Sequence, residues 1–275
     1  MDNTLVSVPV QRPSDINDIL NSLKRYDVSV IKDLEDYLKV QCEQNFSDVN
    51  ANLALLKLYE LSSESLNDER EEATINILLL GLCNFYNIDF ELYLHLLPVY
   101  VLADVTKFKD LSSEDSSIIQ FCSYVNKLKE LYVLLTSAKF TKFWSLLKTD
   151  DSYQDLVYDS YLADSFDSNI RNLIFNVVYK GYSNNNSQIK SKISSQLLQS
   201  YLNLNEADFG KFIESKKFFK INGDHVLINH DAHLIKNDDE EEQKHVSTNA
   251  HNSIISSENI KFEQLSRLIK ESLEK

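Results

Sequence analysis

The chain has 275 residues, a net charge of −14, 43% apolar and 25% charged residues, and only four Gly and three Pro. That length buries a sizeable core in one large or two smaller domains. So few turn formers argue for a mostly helical fold and against phosphate loops, and the acidity argues against nucleic acid as the main partner.

Residues 1–13 hold Pro9 and Pro13 and read as a flexible arm; they lack the basic start and apolar run of a secretory signal. Ser14 is positioned to cap a helix running to about Lys24. Residues 25–61 read as two amphipathic helices joined by a short polar turn. Val30, Leu34, Tyr37, Leu38 and the pair Gln41 and Cys42 share one side of the first. Leu53, Leu55, Leu56, Leu58 and Tyr59 form a wide apolar band on the second, because spacings of three and four fall on one helix face. Residues 62–68 are polar and loop-like. Glu69, Glu71 and Glu72 suit the positive end of a further helix, and another begins at Asp89 with a break near Pro98. A long helix follows residues 112–115, bearing Ile118, Phe121, Cys122, Val125 and Leu128 inward. Shorter helices are expected over 139–148 and 151–163. This describes a helical-repeat stack or an irregular bundle, without a clean repeat of tetratricopeptide length.

A change comes near residue 165. Residues 1–165 carry a net charge of −13, residues 166–229 one of +3, and residues 230–275 one of −4, which places a domain boundary there. A helix over 167–182 is expected, then a second opening at Ser187 with Ile189, Ile193, Leu197 and Leu198, then a third capped by Asn205. Two β-like runs follow at 218–221 and 225–228. Asn222, Gly223 and Asp224 between them suit a hairpin turn. Three helices and a hairpin are the winged-helix order, assigned here to residues 166–234. Residues 235–256 contain the acidic run 238–242 and read as a linker. Ser257 then caps a terminal helix, 257–275, whose stripe of Ile260, Phe262, Leu265, Leu268, Ile269 and Leu273 calls for something to pack against.

Chemistry is hard to find. There is no Gly-rich phosphate loop and no nucleophile elbow. His225, His230 and His233 with Asp231 sit on a strand end and a loop, a poor metal spacing, and read as surface histidines. Adjacent carboxylates such as Glu35 and Asp36, or Glu71 and Glu72, point apart on a helix and read as solvated faces. Phe140, Phe143 and Trp144 fall at helical spacing and read as core or an inter-helix anchor. Cys42, Cys83 and Cys122 are few and scattered in apolar patterns, as expected for buried thiols in a reducing compartment. No run reaches the length that spans a bilayer, so a soluble, cytoplasmic protein is expected, with a nuclear pool allowed. No catalytic residue, metal or cofactor is assigned. Lys190 and Lys192, with Lys211, Lys216, Lys217 and Lys220, make a modest basic set on the winged helix. Glu206 and Asp208 at the head of its third helix stand where DNA phosphates would lie, which disfavours DNA reading. A weak RNA contact through Lys216, Lys217 and Lys220 stays open; the plainer reading is a protein-docking module. The docking candidates are Phe218, Phe219, Ile221, Val226 and Ile228 on the hairpin, and Phe262, Leu265, Leu268 and Ile269 on the terminal helix.

Helical repeats, a winged helix and a terminal helix are also the plan of the PCI subunits found in the proteasome lid, the COP9 signalosome and eukaryotic translation initiation factor three. Within them the chain resembles the k subunits of the initiation factor. The resemblance is carried by RYD…LEDYLKVQCEQNFSDVNANLALLKLYEL at 25–61, ATINILLLGLCNF with DFELYL at 73–94, FTKFWSLL at 140–147, IRNLIFNVVYKGY at 170–182 and NIKFEQLSRLI at 259–269. The first block is the most specific; the others are mostly apolar. The chain departs from the pattern in the N-terminal arm, residues 62–68, residues 107–117 and the acidic linker. The resemblance implies a non-enzymatic scaffold that pairs chiefly with the l subunit at the edge of the PCI/MPN core. It would meet the small ribosomal subunit indirectly, with no membrane or small-molecule partner. A sibling subunit of the lid or signalosome, and a nucleic-acid-binding winged-helix protein, are the alternatives.

Overall fold

The computed structural model describes residues 8–62, 68–102, 116–183, 191–216 and 219–228, all within one compact unit. The expected acidic run and terminal helix, with Phe262, Leu265, Leu268 and Ile269, lie outside the described residues.

The helical part opens with α1 (Ser14–Asn21), α2 (Ile31–Glu43) and α3 (Val49–Leu61). α1 is shorter than expected. Ser14 lies inside it and Pro13 holds the cap position, with two 3-10 turns, Leu23–Tyr26 and Val28–Val30, leading to α2. Pro fixes its own φ and lends no N–H, which suits the first turn of a helix. α2 buries Leu34, Tyr37, Leu38, Gln41 and Cys42, the stripe its spacing predicts. The turn into α3 is not a solvated one: Asn45 takes φ 55, and Phe46, Ser47 and Asp48 are buried. Asp48 caps α3 by accepting from the Ala51 N–H.

α4 (Asp68–Leu82) is almost wholly enclosed from Ala73 onward, and α5 (Asp89–His95) ends before Pro98. Gly81 lets the two approach closely, because a Cβ there would meet the Phe90 Cα at 3.1 Å. Fully buried Asn76 accepts from the Tyr161 N–H at 3.0 Å and donates to the Glu72 carbonyl, tying α4 to a distant turn. α6 (Ser116–Thr136), α7 (Phe140–Thr149) and α8 (Asp151–Tyr158) complete this part.

The remainder is the winged helix: α9 (Ala163–Ser183), β1 (Ser191–Ser194), α10 (Ser195–Leu202), α11 (Glu206–Glu214), β2 (Phe219–Asn222) and β3 (His225–Ile228). The charge break near residue 165 therefore falls inside α9. The expectation of a helix carrying Ile193 is wrong. Ile193 lies in β1, pairs antiparallel with Val226 and is buried, in a sheet of order β1-β3-β2. Gly223, at φ +59, leads the two-residue turn between β2 and β3, where an L side chain would be strained. One continuous apolar core runs from Ile16 to Val226 through both parts.

A candidate docking surface on the winged helix

The winged helix is fixed to the helical part by α7 and α10. The Trp144 indole N–H donates to the Tyr201 carbonyl at 2.9 Å, and the Lys148 ammonium donates to Asn203 Oδ1 at 2.7 Å. Arg171 of α9 lies over the Trp144 ring and donates to the Leu202 carbonyl. Phe140, Phe143 and Trp144 are buried, so this trio is an inter-helix anchor and not a ligand platform. The anchor ties α10, which follows directly on β1, to α7.

Register decides what the sheet offers. Ile193, Val226 and Ile221 form one row across β1, β3 and β2, and Lys192, Leu227 and Lys220 form the next, on the opposite face. The first row faces the core: Ile193 and Val226 are buried, while Ile221, on one of the two edge strands, is 48% exposed. The second row faces outward, with exposed Lys192 and Lys220 flanking half-buried Leu227. Ile221 therefore combines an apolar side chain with an unpaired strand edge among the described residues, the combination that invites pairing with another chain.

The sequence-expected residues separate on this geometry. Val226 is enclosed at 0% exposure, so it supports the sheet from within and meets no partner. Phe219 and Ile228 are paired with each other in the ladder. Lys217 and Phe218 lie outside the described residues. Lys216 is half-buried: it donates to Asn172 Oδ1 at 2.9 Å and lies over the Phe175 and Phe212 rings. Burial pushes its ammonium pKa down, so it acts as a pin between α9 and the end of α11 and not as an outward phosphate contact. Lys220 is exposed, and Lys192, expected on a helix, joins it on the outer face of the sheet. The signal that would have found this is the Ser, Lys, Ile, Ser alternation at 191–194, too short to stand out. The head of α11 keeps Asn205 as its cap, with Glu206 and Asp208 exposed beside it.

No group of three or more His, Cys, Asp or Glu able to hold a metal occurs among the described residues. His225 is exposed, and His230, Asp231 and His233 lie outside the described residues. Glu35 accepts from the Tyr59 hydroxyl at 2.6 Å, and burial pushes Glu71 up. Cys42 and Cys122 are buried and Cys83 is half-buried. Burial pushes the Cys42 and Cys83 thiols up to about 12, which keeps them protonated and unreactive at neutral pH. No described helix is long and apolar enough to cross a membrane.

A helical stack followed by a winged helix with a three-stranded sheet defines a PCI-type subunit. The sequence profile of the CSN8/PSMD8/EIF3K family matches residues 69–239. The chain is also 34% identical over 273 residues to "Eukaryotic translation initiation factor 3 subunit K" of Yarrowia lipolytica, covering 99% of this chain and 100% of that protein. It is 34% identical over 263 residues to the protein of the same name from Botryotinia fuckeliana, covering 96% and 95%. The chain belongs to the CSN8/PSMD8/EIF3K family, and within it to the subunit K branch. The profile begins after residues 25–61, whereas the Yarrowia alignment spans nearly the whole chain and so includes that block.

Proposed function

We propose that this chain is a non-catalytic scaffold subunit of eukaryotic translation initiation factor three, working in the cytoplasmic translation machinery. The observation that carries the reading is near end-to-end similarity to proteins named as subunit K of that factor. The fold agrees in kind: a mostly helical chain ending, among the described residues, in a winged helix. Docking on other subunits, chiefly the l subunit and the PCI/MPN core, uses the open edge of β2 around Ile221 and the terminal helix through Phe262, Leu265, Leu268 and Ile269. Through that assembly the chain supports recruitment of mRNA and the small ribosomal subunit. Phe218, Phe219 and Ile228 are further docking candidates on the hairpin, and Lys217 and Lys220 supply whatever RNA contact the hairpin makes.

Deleting residues 257–275 tests the reading. Loss of co-purification with the other subunits is expected, because an amphipathic helix on a tether gains stability only in a partner groove. Assembly unchanged by the deletion contradicts it. A second reading, membership of the proteasome lid or the signalosome, is favoured by the family description, which joins all three complexes. Proteasome subunits or cullins in the same pull-down would establish it.

A further inference from the structure

We propose that residues 9–13 are a releasable strap whose clasp is a guanidinium socket, filled in cis by Arg12 and open to another protein's arginine side chain when the strap withdraws. The Arg12 N–H donates to the Pro9 carbonyl at 3.2 Å, closing a turn. Val8 and Val10 are 53% and 85% exposed and Pro13 is exposed, so the turn itself buries little. The buried amide oxygen of Gln11 has no hydrogen-bond partner among the described residues. The Arg12 side chain also enters the protein, 4% exposed.

The socket is built independently of the strap. Asp48 is fully buried and held at the head of α3: it accepts from the Ala51 N–H at 3.2 Å, and its own N–H donates to Gln41 Oε1 at 2.7 Å. Gln41 is in turn fixed by Asn52 at 3.0 Å. The Tyr37 hydroxyl donates to Asp48 Oδ2 at 3.1 Å, and the Tyr37 ring packs on Phe46. Arg12 meets the two carboxylate oxygens with Nε and a terminal nitrogen at 2.5 and 2.6 Å. Two parallel N–H bonds to one carboxylate fit a guanidinium fork; an ammonium matches only one. Withdrawal of the strap leaves a buried carboxylate without a cation, and that demand sets the class of replacement.

The test is chemical rescue of the full-length Arg12→Ala protein, followed by thermal unfolding with methylguanidinium chloride at non-denaturing concentration. The melting temperature should fall on substitution and recover by about half or more, saturably, as expected for a ligand of the native state. Methylammonium chloride should not restore it, and the wild type should not respond. Absence of recovery, or equal recovery with methylammonium, overturns the socket. Should Arg12→Ala fail to fold, hydrogen exchange on the wild type decides. Amides of residues 10–12 are expected to exchange at least about tenfold faster than those of α3, as local opening requires; equal protection overturns the strap.

Discussion

The first helical hairpin and the winged helix stabilise themselves in different ways. Around α2, α3 and α5 the interior is polar as well as apolar: Gln41, Ser47, Asp48 and Asn52 are buried and bonded to one another, to Tyr37 and to Tyr93. In the winged helix the buried residues among those described are apolar, from Ile193 and Leu198 to Phe209, Ile213 and Val226, and the buried Ser195 Oγ joins no polar network among them. A polar interior fixes which helices meet and at what register, since each misplacement strands a donor or acceptor at about 1–3 kcal/mol. An apolar interior tolerates small rearrangement. The first region is therefore built to hold one arrangement. The second is a small apolar unit anchored by α7, with Ile221 left half-exposed on an edge strand.

The sharpest way to break this contrast is Asp48→Ala. It strands the buried Arg12 cation and uncaps α3, and a loss of about 3–5 kcal/mol is expected in a denaturant titration. Trp144→Ala comes next. It empties the anchor and orphans the Tyr201 carbonyl, for a similar loss of about 3–5 kcal/mol, with hydrogen exchange rising in α10 more than in α3. Two glycines sharpen the comparison further. Gly81→Ala forces a Cβ against the Phe90 backbone and should cost about 1–3 kcal/mol, whereas Gly210→Ala in α11 meets open space and should gain about 0.5–1 kcal/mol. The smallest loss is expected for Ile221→Asp, about 1 kcal/mol in the isolated chain, yet it should weaken capture of other subunits. A stability loss as large as that of Trp144→Ala would mean Ile221 serves the core instead.

Much of the helical part was legible because local periodicity and burial agree there. The α2 stripe of Leu34, Tyr37, Leu38, Gln41 and Cys42 follows directly from spacing. The hairpin was legible because Gly223 sits where a positive φ is needed. β1 was not. Ile189, Ile193 and Leu197 fall four apart and imitate a helix face, while the strand is decided by pairing with Val226, far along the chain. The Arg12 and Asp48 pair was equally hidden: the partners are 36 residues apart, and one lies in a stretch whose prolines suggest an arm. A charged residue in a turn reads as solvated unless its partner is known. The docking surface was legible only as a hairpin. Separating Ile221 from Val226, and Lys220 from Lys216, needed the register and the aromatic cage around Lys216.

The most direct test of the scaffold assignment is a native pull-down of the tagged full-length chain with mass spectrometry of what accompanies it, run beside Ile221→Asp. The other subunits of initiation factor three with small-ribosomal-subunit proteins are expected, depleted by the substitution. Recovery of proteasome or signalosome subunits in their place, or of the chain alone, would contradict it.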